Sequence, residues 1–278
     1  MMRLQKLVSI VIPAYNAENT IVETLESVLQ QTYDHIEVIV VNDGSTDRTL
    51  EVAEQFVIGK PTIRVFTKGN EGAAATRNYG FKYVKGEFLL FLDSDDLLAP
   101  EYVSACISKF EEQPALDIVY TQTRFFERET ELFVLPPFAM DTMLQTNCFA
   151  VTAMMRSNAF EDIGMYDTHL RFAEDWEMWI RMVQKYGNVY QIEMPFFLYR
   201  KRNTLDSLTD QNKIQNVSED AHFYIYKKHY ELYKRYSYGI ENLFMRIRVN
   251  SKYRRKYNNI WYRKLFYAFF KRKNYSDN

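Results

Sequence analysis

An α/β fold, a mostly parallel sheet flanked by helices with a helical C-terminal extension, is what this sequence predicts. Three observations carry that expectation. Short runs of branched and aromatic residues alternate with helix-patterned segments through the first half of the chain, the order that a parallel sheet with crossover helices requires. The acidic motifs follow directly on those runs, at the strand ends where open α/β sheets bind ligands. The composition is that of folded domains: 278 residues with 47% hydrophobic and 26% charged, enough for one large or two small domains and unlike collagen, a coiled coil or a disordered chain.

The elements follow in order. LVSIVIP at 7–13, IEVIVV at 36–41, TIRVF at 62–66 and EFLLFL at 87–92 are short, apolar and closed by polar turns, which predicts four strands. Thr20 and Glu23 form a capping-box pattern ahead of Ile21, Leu25, Val28 and Leu29, which share one helical face. A second helix is expected to start after Ser45 or Thr46 and to bury Leu50, Ala53 and Phe56. A third should begin at Ala73 and end near Val84 before Gly86, and a fourth should start at Pro100 and bury Val103, Ile107 and Phe110. This βαβαβαβ order implies a doubly wound sheet. Beyond residue 115 the pattern loosens. DIVYT at 117–121 and CFAVTAMM at 148–155 read as strands, LFVLPPF around Pro136 and Pro137 as a loop, and Trp176, Trp179, Ile180 and Val183 as the apolar stripe of a helix stopped at Gly187.

Several function classes fall away early. Apolar runs such as FLLFL at 88–92 are far shorter than the roughly 20 residues of a membrane-spanning helix. No separate apolar run with a cleavage site precedes Leu7, so a cytosolic protein is expected. Cys106 and Cys148 lack CxxC spacing and lie in apolar surroundings, which predicts reduced packing residues. His35, His169, His222 and His229 show no metal-ligand spacing, and no nucleophilic serine elbow or Cys-His arrangement is present. The spacing fits neither a Walker loop nor GxGxxG.

The residues that carry chemistry sit at the strand ends. In LFLDSDDLLAP, a strand runs into Asp93, Ser94, Asp95 and Asp96. Carboxylates this dense repel one another unless a cation neutralises them, and oxygen ligands suit Mg²⁺ or Mn²⁺; a solvated acidic turn is the bland alternative. VNDGSTD at 41–47 places Asp43 after the second strand with Gly44 opening a tight turn, where a carboxylate can accept from a base or ribose, or merely cap a helix. PAYNAE at 13–18 follows the first strand, and GNEGAAATRNYG at 69–80 carries Arg77 toward the same sheet edge. Arg77 there either contacts a phosphate or makes a structural salt bridge to Asp93 or Asp95. RFAEDWEMW at 171–179 puts Glu174 and Asp175 at a helix start, where acids also favour the helix dipole.

IVIPAYN, VNDGSTD, GxxxTRN, FLDSDD and the later Glu-Asp pair, taken as an ordered set, resemble the family 2 glycosyltransferases of the GT-A fold over roughly residues 7 to 205. The resemblance implies a GT-A, Rossmann-like domain over 1–220, with a nucleotide-binding half at 1–115 and an acceptor half at 116–220. It implies that Pro13, Ala14, Tyr15 and Glu18 border the base and ribose of a nucleotide-sugar donor, UDP-linked by expectation, that Asp43 holds the base, and that Arg77 lies near the base or phosphates. By the same resemblance Asp93 and Asp95 would form the DxD pair around Ser94, with Asp95 the direct ligand of Mn²⁺ or Mg²⁺ and Asp93 nearer the ribose. The resemblance also implies that Asp175, beside Glu174, is the general base of an inverting transfer to a glycan or lipid-linked acceptor. Trp176 either stacks on a sugar or joins the core stripe with Trp179. FLYRKRNTLDSLT at 197–209 resembles the family's loop over the diphosphate, with phosphate contacts expected from Arg200, Arg202 or Ser207; the family's His two residues after the Arg is Arg202 here. No Arg-Trp pair of the processive QxxRW pattern occurs, so one sugar per encounter is expected. A catalytically silent nucleotide-sugar-binding or scaffolding protein is the alternative, and the intact Asp93, Asp95 and Asp175 set argues against it.

The net charge of −1 hides an asymmetry. Residues 223–278 hold 15 Lys or Arg against three acids, a local +12 that leaves −13 for residues 1–222, and they include 17 aromatics. A basic, aromatic helical tail over 221–278, with YRRKYNNIWYRKLFYAFFKRK at 253–273, is expected to lie on an anionic membrane surface at the inner face of the cell membrane. Packing on the catalytic domain or on a second copy in a homodimer is the second reading, and nucleic-acid binding the least favoured.

Overall fold

The computed structural model describes residues 6–202, 217–243 and 245. The chain divides into two compact units, Met1–Phe223 and Tyr224–Asn278. In the first, the four expected strands are β1 (Val8–Ala14), β2 (Ile36–Asp43), β3 (Ile63–Lys68) and β4 (Phe88–Phe91). They pair in parallel in the order β3-β2-β1-β4. The order reverses beside β1, and that switch point opens a crevice at the carboxyl ends of β1 and β4.

The apolar runs are continuous because both sheet faces are covered. On one face Ile10, Ile12, Val38, Val40 and Leu90 pack with Ile21 and Leu25 of α1 (Ile21–Leu29), Ala53 of α2 (Thr49–Phe56), and Val103, Ile107 and Phe110 of α4 (Tyr102–Glu112). Each such fully buried side chain is worth about 1.5–3 kcal/mol. On the other face α3 (Ala73–Phe81) lies so close that a Cβ on Gly80 would sit 2.5 Å from Val11 Cγ1. Glycine is therefore required in the last turn of that helix despite its poor propensity. Helix α2 starts later than expected, at Thr49, because Asp47 accepts from the Thr49 N–H at 2.9 Å and closes the turn first. Leu50 and Phe56 are only half-buried.

Past residue 96 the sheet becomes mixed. It continues β4-β8-β6-β9-β5, with β7 beside β6, where β5 is Leu97–Leu98, β6 Ile118–Glu127, β7 Leu132–Phe133, β8 Met154–Arg156 and β9 Val189–Lys201. The strand expected over 148–155 is corrected to β8 alone. Cys148, Phe149 and Ala153 are fully buried, but as loop residues between α5 (Met140–Met143) and β8 rather than as ladder residues. Helix α6 (Ser157–Asp162) follows β8, and α7 (Glu174–Lys185) buries Trp176, Trp179, Ile180 and Val183. Cys106 and Cys148 are free thiols, buried as expected. Helices α8 (Val217–Lys228) and α9 (Tyr230–Arg235) follow; Tyr226 of α8 meets Tyr230 and Tyr233 ring to ring. Among the described residues no helix is long and apolar enough to cross a membrane. Ser207 and the tail segment 253–273 lie outside the described residues.

Candidate active site

Four loops meet at the carboxyl edge of β1 to β4, and polar side chains stitch them together. After β1, the Asn16 N–H donates to Ser45 Oγ (3.0 Å) while Asn16 Oδ1 accepts from the Thr46 N–H (2.9 Å). Asn16 sits at φ 49, a left-handed position that Asn tolerates better than most residues. The Ala17 and Glu18 N–H groups donate to Thr49 and Asp47, and Glu18 Oε2 accepts from the Arg48 N–H at 3.0 Å. Glu18 is thereby turned to the β2–α2 loop. Pro13 is half-buried and Ala14 buried, while Tyr15 is 50% exposed, an open ring at the crevice edge.

Asp43 is engaged inside the protein. Its Oδ1 accepts from Lys68 Nζ (2.7 Å) and the Glu71 N–H (3.0 Å), and its Oδ2 accepts from the Gly72 N–H (2.8 Å). Burial would push this carboxyl up, but Lys68, the two backbone donors and the Thr76 hydroxyl together hold it below the usual range. At 3% exposure Asp43 ties the end of β2 to the β3–α3 loop. Gly44 opens the adjoining turn at φ +65, and a Cβ there would meet the Asn70 N at 2.8 Å, so only glycine fits.

Arg77 joins the acidic motifs that lie furthest apart in sequence. Its guanidinium, 4% exposed, donates to Asp93 Oδ1 and to Glu174 Oε1, each at 2.7 Å, and lies over the Tyr166 ring at 5.3 Å. The salt-bridge reading of Arg77 is the arrangement found. Its neighbour Asn78 exchanges two hydrogen bonds with the Tyr166 backbone and fixes the segment ahead of α7. Ala173, the residue before Glu174, is left-handed at φ 58, a strained conformation for alanine. Asp175 is partly exposed; its Oδ1 accepts from the Trp176 N–H (2.8 Å) and its Oδ2 from Asn147 Nδ2 (2.9 Å). Protein crowding first, then the Glu174 charge, push the Asp175 carboxyl up to about 7, against the pull of Arg77 and the Trp176 N–H. A carboxylate poised near neutral pH is suited to taking a proton.

The family described as Glycosyl transferase family 2 matches residues 9–274. The chain belongs to this family. It is 31% identical over 213 residues to the chondroitin synthase of Pasteurella multocida (strain Pm70), a match covering 74% of this chain and 22% of that protein, so the chain spans about a fifth of that relative's length. Its fold is similar to S. aureus TarS 1-349 in complex with UDP-GlcNAc, at TM-score 0.62 and 24% identity over 71% of this chain and 59% of that one. A mannosyltransferase from Pyrobaculum calidifontis, solved with GDP-Man and Mn²⁺, is similar at TM-score 0.57 and 19% identity, over 73% of this chain and 59% of that one.

In this family 2 chain the acidic loop at 93–96 is held from several sides. The Thr20 hydroxyl donates to the Ser94 carbonyl (2.9 Å), and no side-chain cap bond forms at α1. The capping box expected there is therefore corrected: Thr20 holds the acidic loop, and Glu23 pairs with Arg200 at 2.5 Å. Ser94 is 8% exposed. On β9, Arg200 donates through its N–H to Asp96 Oδ1 and through Nε to the Asp95 carbonyl, and its Nη1 reaches Glu127. Arg202 donates to Asp95 Oδ2 at 2.8 Å.

A hard cation fits this loop by donor chemistry. Asp96 Oδ2 is buried with no hydrogen-bond partner. Burial, and after it the neighbouring aspartates, push Asp95 and Asp96 above the usual carboxylate range. Among the described residues no group of three or more His, Cys, Asp or Glu encloses an ion, and Arg202, without a lone pair, is no metal ligand. Asp95 is the residue that would hold one.

Of the two readings of Trp176, packing with the core is the arrangement found. Its indole is 7% exposed, donates to the Met143 carbonyl (2.6 Å) and meets the His222 ring edge-on at 5.2 Å. That packing braces α7. Asn147, Asn78, Lys68 and Tyr166 took no part in the sequence expectations. Asn78 adjoins Arg77 in the TRN motif, a usable signal, whereas Asn147 stands between Thr146 and the apolar run from Cys148, in no motif.

Proposed function

We propose that this chain transfers a sugar from a nucleoside diphosphate donor, UDP-linked, to a hydroxyl of a glycan or lipid-linked glycan, one sugar per encounter and with inversion. The observation that carries the reading is Arg77, whose ion pairs to Asp93 and Glu174 draw the DxD loop and the start of α7 together. The donor's base and ribose lie along Pro13, Ala14 and the open ring of Tyr15, with Asp93 toward the ribose. Asp175 takes the proton of the acceptor hydroxyl as its oxygen attacks the anomeric carbon. The bond from that carbon to the diphosphate breaks, and the nucleoside diphosphate leaves on the opposite face. A bound Mn²⁺ or Mg²⁺, held by Asp95 and diphosphate oxygens, would neutralise charge on the leaving group. Arg200 of β9 and Arg202 just past its end, beside the same loop, supply fixed positive charge near it.

Support comes from the family membership, from relatives named for polysaccharide synthesis, and from TarS, a fold neighbour solved with UDP-GlcNAc. The +12 charge of residues 223–278 favours an acceptor at an anionic membrane surface. A panel of nucleotide sugars offered with Mn²⁺, with free nucleoside diphosphate as the readout, tests the reading. Release from one donor with Mn²⁺, lost in EDTA, is the expected result. Binding of a donor without release from any of them, acceptor or not, would instead make the protein a silent nucleotide-sugar-binding scaffold.

A further inference from the structure

Asp175 is held by a residue that no motif contains. Asn147 stands in the loop between α5 and β8, and the amide is oriented by its surroundings: the Phe149 N–H donates to Asn147 Oδ1 at 3.2 Å, which turns Nδ2 to Asp175 Oδ2 at 2.9 Å. The backbone donor thus fixes which way round the amide stands. The loop is anchored. Cys148 and Phe149 on the C-terminal side are 0% and 1% exposed, and the Phe149 ring packs edge-on against Trp179 of α7 (5.4 Å) and Tyr120 of β6 (4.9 Å). On the N-terminal side the Met143 carbonyl receives the Trp176 indole N–H. Asn147 and Asp175 are therefore fixed to each other through two neighbours apiece.

We propose that Asn147 is the positioning residue of the base: its amide N–H fixes one oxygen of the Asp175 carboxylate, holds the group in its charged form and leaves a lone pair on each oxygen for the acceptor proton. The inference rests on the assignment of Asp175 as base. The physics is that of a neutral donor facing a crowded acid. A hydrogen bond to the charged form favours it, whereas burial and a neighbouring acid disfavour it. The titratable and charged groups around Asp175 are Glu174 beside it, Arg77 from α3, Asp93 from the β4 loop and Tyr166 ahead of α7. All four are unchanged by a substitution at 147.

The test compares pH profiles of turnover at saturating donor and acceptor for the full chain, Asn147→Ala, Asn147→Asp and Asp175→Asn, with donor affinity measured separately. Turnover requires ionised Asp175, so the wild-type rate rises with pH and levels off above a limb near 7. Loss of the donor in Asn147→Ala moves that limb up by about one unit. The isosteric Asn147→Asp retains the bond from Phe149, so it preserves the fold, but it sets one carboxylate against another and moves the limb up further. Donor affinity stays unchanged in both. A uniform fall in rate with the limb unmoved in both variants would overturn the proposal and leave Asn147 a structural residue. Near-normal turnover by Asp175→Asn would instead remove the base assignment itself, which keeps the two failures apart.

Discussion

At the scale of single residues, Arg77 bears the largest share of the site's electrostatics. A buried guanidinium with two carboxylates gives little net stability against an apolar substitute of the same shape, but removing one partner strands the others. Arg77→Met leaves Asp93 and Glu174 facing each other beside Asp175, three acids with no cation from α3. We expect a loss of about 3–5 kcal/mol, read as a lower urea midpoint with an unchanged slope. A variant as stable as the wild type would mean that the bridge is not made in solution. The residues were legible in sequence, the pairing was not. Arg77, Asp93 and Glu174 each stand out within a motif, but the sequence separation of 97 between Arg77 and Glu174 follows no spacing rule. The same holds for Thr20 and Glu23: the pattern S/T-x-x-E is local, and here both side chains satisfy distant partners, the Ser94 carbonyl and Arg200, so the local reading failed.

At the scale of elements, the central strands were readable because parallel strands buried on both faces leave unbroken apolar runs. The second half was less so. A run such as CFAVTAMM satisfies the apolar criterion for a strand, yet only Met154 and Met155 of it pair with neighbours; the rest fills the core as loop. β5, two residues long and paired with β9, is too short for any periodicity. Helix α7 was legible from its stripe, but its entry was not, because nothing in the sequence marks Ala173 as left-handed. That strain aims Glu174 and Asp175. Ala173→Gly removes the clash at positive φ and should stabilise the fold by up to ~1 kcal/mol, while loosening the turn and lowering turnover at unchanged donor affinity. Measured together, thermal midpoint and rate should move in opposite directions; a fall in both would show that the turn is not strained.

At the scale of the whole molecule, the first unit gathers residues from 13 to 202 on one sheet edge. Loops after β1, β2, β3 and β4 are sewn to one another by Asn16, Asp43 and Thr20, and α7 and β9 bring Asp175 and the Arg200–Arg202 pair to the DxD loop. The motif order predicted this convergence. The packing that makes it, Asn78 on the Tyr166 backbone and Trp176 on Met143, becomes visible only in three dimensions. The most direct measurement is product formation by Asp175→Asn at donor concentrations shown by titration to saturate it. The account predicts donor binding within a few-fold of wild type and transfer slower by roughly 10²–10⁴-fold. Transfer at a rate within a few-fold of wild type would contradict it.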